Sequence, residues 1–491
     1  MRPIASEPPP WPKGPSMKPQ KNKTKIVCTI GPASESPELM KQMIEAGMNV
    51  ARLNFSHGDV ATHKRVIDNL RAASAAAGCR ITLMADLPGP KMRIGMIAPE
   101  PIELKPGDTF TLTTDSVVGD RSRASVSFPH LPNVVKPGDI LYLNDGFIEL
   151  EVAEVRKKDV ICKISVGGEL RSRKGLNLPG IDLGLRAFTD RDHEWLKFAQ
   201  EQNVDAISQS FVESGADMAA VREAAASLGY RPFLIAKIER SRALDQIDRI
   251  LEETDGMMIA RGDLGVEIPI EEIAVAQKQL MRKANMLGKP VITATQMLES
   301  MTDHRRPTRA EATDVANAIL DGTDCVMLSE ESATGKYPVE SVAMLSSIAR
   351  AIEPHRPSHD VRDTLQSIAV RSDVNAGDLI SLSVENVLQR MDPATVLVPS
   401  RSGATVRRLA RLRLPIWITA VSAFESTCQG LQLSYGVHPV HEPEDPDNWS
   451  DYAREWVRVH GLKGRTVVLI QGPSPKHPDA NHRMEIVDLK R

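Results

Sequence analysis

The sequence predicts an α/β protein built on a (β/α)8 TIM barrel, with a small β-barrel lid domain inserted into it and a doubly wound α/β domain at its C-terminal end. Three observations lead there. From residue 24 one unit recurs: a short β-branched or apolar run, a polar break, then an amphipathic stretch of ten to eighteen residues, which is the pattern of a strand followed by a helix. Between residues 87 and 186 that rhythm gives way to alternating apolar and polar positions with PGD turns, as in VKPGDILYLNDGFIELEVAEV. Past residue 351, helices such as NAGDLISLSVENVLQRM and ATVRRLARLRL alternate again with short strands such as ATVLVPS and PIWITAVS.

Taken in order, residues 1–20 read as a proline-rich disordered tail without the apolar segment of a secretion signal. Eight strands are then expected at 24–30, 49–55, 80–87, 205–211, 232–239, 256–264, 290–296 and 325–330. The helices between them include SPELMKQMIEAG, THKRVIDNLRAASAAAG and VAQKQLMRKANMLG, several closed by a C-cap glycine. Eight such units close into a barrel whose catalytic groups stand at the carboxyl ends of the strands. The barrel is therefore expected over 21–87 and 186–350, the lid over 88–185 and the last domain over 351–491. A β module above a barrel mouth is placed to close on substrate and exclude water.

Composition narrows the function classes. Sixty-one basic against 64 acidic residues leave a net charge of -3 over 491 residues, and aromatics make up only 4%. Neither a pull toward nucleic-acid phosphates or anionic lipid nor a stacking platform for single strands is expected. No apolar run reaches the ~18 residues of a membrane span. Cys28, Cys79, Cys162, Cys325 and Cys428 form no CxxC pair, so a reducing cytoplasm is expected, with cysteines as small core residues.

The carboxyl ends of the eight strands carry Arg52, Asn54 and Ser56 in RLNFSHG, Asp86 in ADLPGPKMR, and Gln209 and Ser210 in ISQSF. They continue with Lys237 and Glu239 in AKIER, Arg261 and Asp263 in ARGDLG, Thr295 and Gln296 in TATQM, and Ser329 and Glu331 in MLSEES. Any one of these alone is ordinary, since a charged group at a strand end is usually solvated or paired; Arg261 reads better as a brace for its loop, and His57 equally as a helix-start residue. Together they point to phosphoryl chemistry. Glu239 and Asp263, on adjacent strands, are hard oxygen donors of the kind Mg2+ takes alongside waters and substrate oxygens. Lys237 and Glu239, two apart, point the same way. Arg52 can fork onto a phosphate or carboxylate, and cation, lysine and arginine together neutralise a transferring phosphoryl group.

The stretches TKIVCTIGPAS, ARLNFSHG, KGLNLPG, AKIE, ARGDLGVEIP, TATQMLESM and RPTRAEATDVANAILDGTDCVMLSEESATGKYP, in that order, resemble the motifs of the pyruvate kinase family over residues 24–350. The resemblance implies Mg2+-dependent phosphoryl transfer from phosphoenolpyruvate to ADP, giving pyruvate and ATP as the last step of glycolysis, in a homotetramer. It implies that Lys237 stabilises the transferring phosphoryl and the enolate, that Glu239 and Asp263 hold Mg2+, that Arg52 touches phosphate, and that Thr295 serves proton delivery. The amides of Arg261, Gly262 and Asp263, opening a short helix, suit the substrate carboxylate. Asn54, His57, Arg93 and, from the lid, Lys174 match nucleotide contacts, and Asp145 matches a lid residue facing the site.

Two departures stand out. Family members that require K+ read DTKGPE after the third strand, whereas this chain reads Asp86, Leu87, Pro88, Gly89, Pro90, Lys91. The chain therefore resembles the K+-independent branch, with the Lys91 ammonium in place of the monovalent cation. In the C-terminal domain, PSRSGAT resembles the family's loop for an effector phosphate, which implies an allosteric phosphorylated metabolite on Ser400, Ser402, Gly403 and Thr405; the same string is also an ordinary capped turn. The family's glycine-rich effector loop is replaced by QGPSPKHPDANHR, which speaks against the usual sugar bisphosphate. Two other readings stand beside this one: a class I aldolase with Lys237 as Schiff-base lysine, and a non-catalytic regulatory paralogue, which would be expected to have lost rim residues that are all present here.

Overall fold

The computed structural model describes residues 21–356, 362–365, 376–472 and 481–490; the 1–20 tail and much of the QGPSPKHPDANHR segment lie outside them. Eight parallel strands close a barrel in sequence order: β1 (Lys25–Thr29), β2 (Val50–Asn54), β3 (Thr82–Leu87), β4 (Ala206–Gln209), β5 (Phe233–Ile238), β6 (Gly256–Ala260), β7 (Val291–Ala294) and β8 (Cys325–Leu328). Successive side chains alternate between two cores, as the two-residue strand period requires. Ile26 and Cys28 of β1 pack against the helices, and Val27 between them joins Val50, Met84, Ile235 and Met258 inside the barrel. Each fully buried side chain of this size contributes roughly 1.5–3 kcal/mol over its exposed state.

All eight expected strands are present, each shorter than its expected range, most by two or three residues and one by four. The run 256–264 ends as a strand at Ala260, and Arg261–Glu267 is a helix. The cause is distant. The Arg261 guanidinium donates to Ala294 O (3.2 Å), Thr295 O (2.8 Å) and Asp314 Oδ1 (2.7 Å), which draws the chain sideways at the barrel rim.

The chain leaves the barrel after Leu87 and forms a lid of one six-stranded and one two-stranded sheet around a single core. Residues 93 and 94 join the two edges of the larger sheet: Ile94 bridges to Val126 on one side and Arg93 to Gly175 on the other, so the lid closes into a small barrel. Both of its connections are pinned. Gly89, at φ +62°, donates its amide to buried Asp192 (3.0 Å), and a Cβ there would stand 2.9 Å from the Phe211 ring. On the return, Gln209 Nε2 donates to Ala187 O (2.9 Å).

The C-terminal domain has four parallel strands, β9 (Val396–Pro399), β10 (Ile418–Ser422), β11 (Val437–His441) and β12 (Thr466–Gln471), plus antiparallel β13 (Arg483–Asp488), in the order β11-β10-β9-β12-β13. It docks on the amino end of the barrel, away from the lid. Lys25 Nζ donates to Val437 O (2.7 Å), Thr82 Oγ1 to Gln429 O (2.8 Å) and the Tyr435 amide to Asp324 Oδ1 (2.9 Å). No helix among the described residues is long and apolar enough to cross a membrane.

Candidate active site

At the carboxyl rim, β5 presents Lys237, followed by Glu239, toward the barrel axis. Lys237 Nζ lies 2.7 Å from Glu239 Oε2, 3.8 Å from Asp263 Oδ2 and 3.4 Å from Ser210 Oγ. Burial works to strip its proton, and the carboxylates of Glu239, Asp86 and Asp263 outweigh that and hold its pKa above the usual lysine value. Glu239 is only 3% exposed, and burial pushes its pKa up against the opposing charge of Lys237. Its Oε1 accepts the Phe211 amide (2.7 Å), presented by a backbone at φ +59°. Asp263 keeps 38% of its side chain exposed.

Arg52 of β2 sits deeper. Its Nε donates to Asp86 Oδ2 (3.0 Å) and its Nη1 to Thr29 Oγ1 (3.0 Å), while Thr29 in turn donates to Leu328 O (3.0 Å). Burial would raise Asp86, but Arg52 and Lys237 pull it below the usual carboxylate range. The rim therefore sets two cations, Arg52 and Lys237, among three carboxylates, Asp86, Glu239 and Asp263, of which the buried Asp86 and Glu239 lie where charges are poorly screened.

Thr295, at φ +65°, donates from its hydroxyl to Ala294 O (2.7 Å) and accepts the Gly262 amide (2.8 Å). The Gly262 amide, expected on substrate, is thus engaged by Thr295 in this state. The Arg261 side chain is the brace its sequence position suggested.

Toward the lid, the Asn54 side chain accepts the Ser56 amide (3.1 Å), and exposed His57 is lowered in pKa by partial burial and by the charges of Arg93, Lys91 and Arg52. Those three cations therefore share one side of the rim. Lys91 is exposed. Arg93 Nη1 donates to Arg173 O (2.8 Å), Lys174 O accepts the Ile94 amide (2.9 Å), and Asn144, next to Asp145, donates its amide to Gly175 O (3.2 Å), so Arg93, Lys174 and Asp145 come together on the lid. Next to Asp145, a Cβ on Gly146 would lie 3.1 Å from Val266 Cγ2, so this loop reaches the helix that carries Asp263.

Some rim residues take other roles. Glu331 is 2% exposed, accepts the Leu298 amide (3.0 Å) and the Ser329 amide (2.7 Å), and braces two loops. Gln209 holds the lid's return, and Gln296 is exposed. In the C-terminal domain, Ser400 Oγ accepts the Gly403 amide (3.0 Å), and Ser402 O accepts from Arg407 (3.0 Å), so the loop before the helix Ala404–Ala410 is internally capped. A Cβ on Gly403, at φ +76°, would stand 2.8 Å from Arg407 Nη1.

Sequence reasoning missed Arg240. It is 2% exposed and donates to Glu213 (3.1 Å), Glu267 (2.7 Å) and Ile181 O (3.2 Å). It thereby ties the end of β5 to the helix of Asp263 and to the lid's returning segment.

The donor set fits one hard divalent cation. Two carboxylates converge on a single ammonium, and no group of three or more His, Cys, Asp or Glu exists among the described residues to form an all-protein cage.

Comparison with known proteins agrees with this layout. The family described as pyruvate kinase, barrel domain, matches residues 21–342, and that described as pyruvate kinase, alpha/beta domain, matches residues 378–487. The chain is 48% identical to a pyruvate kinase of Thermococcus litoralis over 85% of this chain and 88% of that protein. It is 44% identical to one from Geobacillus stearothermophilus, covering 92% and 78% respectively. A crystal structure of a pyruvate kinase from Cryptosporidium parvum superposes with a TM-score of 0.87 at 36% identity, covering 96% of both chains.

Proposed function

Because this chain belongs to the pyruvate kinase family, we propose that it moves the phosphoryl group of phosphoenolpyruvate to ADP, yielding ATP and, after protonation of the enolate carbon, pyruvate. The observation that carries this reading is Lys237 held between Glu239 and Asp263 at 2.7 and 3.8 Å, with the Arg52–Asp86 pair beside it. The bridging oxygen gains negative charge as its bond to phosphorus breaks, and a lysine kept protonated next to it stabilises that charge more in the transition state than in the bound substrate. Glu239 and Asp263 would hold Mg2+, which when bound would supply positive charge to the transferring group. Arg52 orients the phosphoryl oxygens, the amides of Arg261, Gly262 and Asp263 receive the substrate carboxylate once the Gly262 amide leaves Thr295 Oγ1, and the Thr295 hydroxyl so released serves proton delivery to the enolate carbon. Asn54, His57, Arg93 and Lys174 contact the nucleotide, with Asp145 facing it from the lid.

Three finer readings extend the proposal. Lys91 supplies the charge that a bound K+ would bring, so no monovalent cation is required. A phosphorylated metabolite bound at Ser400, Ser402, Gly403 and Thr405 regulates the enzyme. The enzyme works in the cytoplasm as a homotetramer. The ion pair of Lys237 Nζ with Glu239 Oε2 (2.7 Å) argues against the Schiff-base reading, which needs a neutral amine. The test is a coupled assay of pyruvate formation from phosphoenolpyruvate and ADP, with Mg2+ present or chelated, in K+ or in tetramethylammonium. Turnover that needs Mg2+ and is indifferent to K+ is expected; no turnover in either salt would remove the proposal.

A further inference from the structure

Arg240 follows Glu239 directly, and its side chain lies where the loop after β4, the helix Arg261–Glu267 and the lid's returning segment meet. Its Nε donates to Glu213 Oε1 (3.1 Å), its Nη1 to Glu267 Oε1 (2.7 Å) and its Nη2 to Ile181 O (3.2 Å). The side chains of Arg240 and Glu267 are 3% and 0% exposed. Glu267 stands four positions after Asp263, about one turn along the same face of that helix. Its Oε2 also accepts the Ser241 hydroxyl (3.3 Å), and the Gly180 amide of the lid's stem faces the same carboxylate.

One guanidinium therefore joins the ends of both elements that carry the candidate metal carboxylates. The residue before it is Glu239, and its partner Glu267 closes the helix of Asp263. Glu213 adds the loop whose Phe211 amide holds Glu239 Oε1 (2.7 Å). The lid's stem is seated on this junction. A second tie on the outside, Arg242 to Asp182 (2.9 Å), has side chains 42% and 69% exposed, and a pair so open to solvent contributes little. A buried pair is itself weak evidence of stability, because apolar packing of the same shape often does as well. What the planar fork supplies is a fixed geometry among three segments, which the single ammonium of a lysine does not reproduce.

We propose that Arg240 is a positioning residue that couples the seating of the lid's returning stem, residues 178–182, to the spacing of Glu239 and Asp263, so that a divalent cation on those carboxylates and a seated stem stabilise each other. The proposal rests on the reading of Glu239 and Asp263 as metal ligands and adds a link from the cation to a segment outside the carboxylate pair. Such coupling is reciprocal: whatever factor the seated stem adds to cation affinity, the bound cation adds to the seating of the stem.

The test uses the full-length protein without substrate and Mn2+ as the probe. Free Mn2+ is counted by electron paramagnetic resonance, and amide hydrogen exchange is read by mass spectrometry. In the parent, saturating Mn2+ should slow exchange over residues 176–184 by about five-fold or more. Arg240→Lys keeps the charge and loses the fork; it should need about ten-fold more Mn2+ for half saturation and, once saturated, show no slowing there. Arg242→Gln, which cuts only the exposed tie, should stay within about two-fold of the parent in both measurements. Mn2+ binding to the parent without any slowing over 176–184 would overturn the proposal, whether or not Arg240→Lys folds, and would leave the metal reading standing. An Arg240→Lys protein that melts lower yet binds Mn2+ as the parent does would also overturn it and make Arg240 a structural brace only. A parent that binds no Mn2+ would remove the metal reading and this proposal together.

Discussion

Lys25 and Lys237 stand at opposite ends of the same barrel, one on β1 and one on β5, and their surroundings shift them in opposite directions. Lys25 donates to a single carbonyl, Val437 O, and lies 5.1 Å from the Trp417 ring centroid; burial dominates and lowers its pKa to about 8. Lys237, also largely buried, has Glu239, Asp86 and Asp263 around it, and these overcome burial and keep it charged. The comparison teaches that burial alone does not make a lysine reactive or inert. At the carboxyl end charges are crowded and partly open to solvent, ready for a charged substrate. At the amino end the same residue types are used as joints between domains, as Asp324 shows by accepting from Arg413, Tyr435 N and Val291 N at once.

The sharpest way to break this comparison is to exchange the two lysines for methionine. Lys237→Met is expected to lower kcat by about 10³-fold or more with KM for phosphoenolpyruvate within a few-fold, whereas Lys25→Met leaves kcat within about two-fold. Steady-state kinetics on both variants decide it, and a KM effect at unchanged kcat in Lys237→Met removes the transition-state role. Next in size, Asp263→Asn should cost about 10²-fold in turnover and raise the Mg2+ concentration for half-maximal rate, read from a metal titration. Near-normal activity there would sink the metal assignment.

At the opposite end, Asp324→Asn leaves buried Arg413 without its carboxylate and should destabilise the fold by about 3–5 kcal/mol, seen in denaturant unfolding, while kcat at 25 °C holds. A smaller effect tests Lys91. The parent should run at full rate in tetramethylammonium, whereas Lys91→Glu should lose rate there and recover part of it in K+; strong K+ activation of the parent contradicts the idea. The smallest effect concerns pH. The folded-state pKa of Lys25 is depressed from 10.5 to about 8, so between those values the unfolded chain binds more protons and stability due to this group rises with pH. The parent should therefore gain on the order of 1–3 kcal/mol over Lys25→Met between pH 8 and 10.5, measured by unfolding at each pH. A constant difference would show that Lys25 does not titrate there.

Much of this layout was legible in the sequence. The eight strands show themselves because apolar runs alternate with capped amphipathic helices, and the rim residues because the polar side chains fall at the strand ends. What was not legible depends on partners far along the chain. The run 256–264 stays apolar past Ala260, and nothing local says that Arg261 is drawn sideways by Asp314, 53 positions on. Glu331 looks like Glu239 as a carboxylate at a strand end; only the amides of Leu298 and Ser329 make it a brace. Arg240 gathers partners from three other segments, so no local pattern marks it.

The placement of the lid also bears on how the chain assembles. β3 and β4 are neighbours in the barrel, and the bond from the Leu83 amide to Asp205 that seals their junction spans 122 positions. Bringing such distant points together directly carries a closure entropy that grows with the logarithm of the intervening length. The lid shortens that search: it has a core of its own, and the bond from Arg93 to Arg173 O draws its two stems together across 80 positions. A chain emerging from the ribosome therefore presents three strands, then a module that can collapse on itself and bring β4 back beside β3, and only then the strands that complete the ring. In kinetic terms the lid is a bridge across the longest gap between barrel strands that follow one another in sequence.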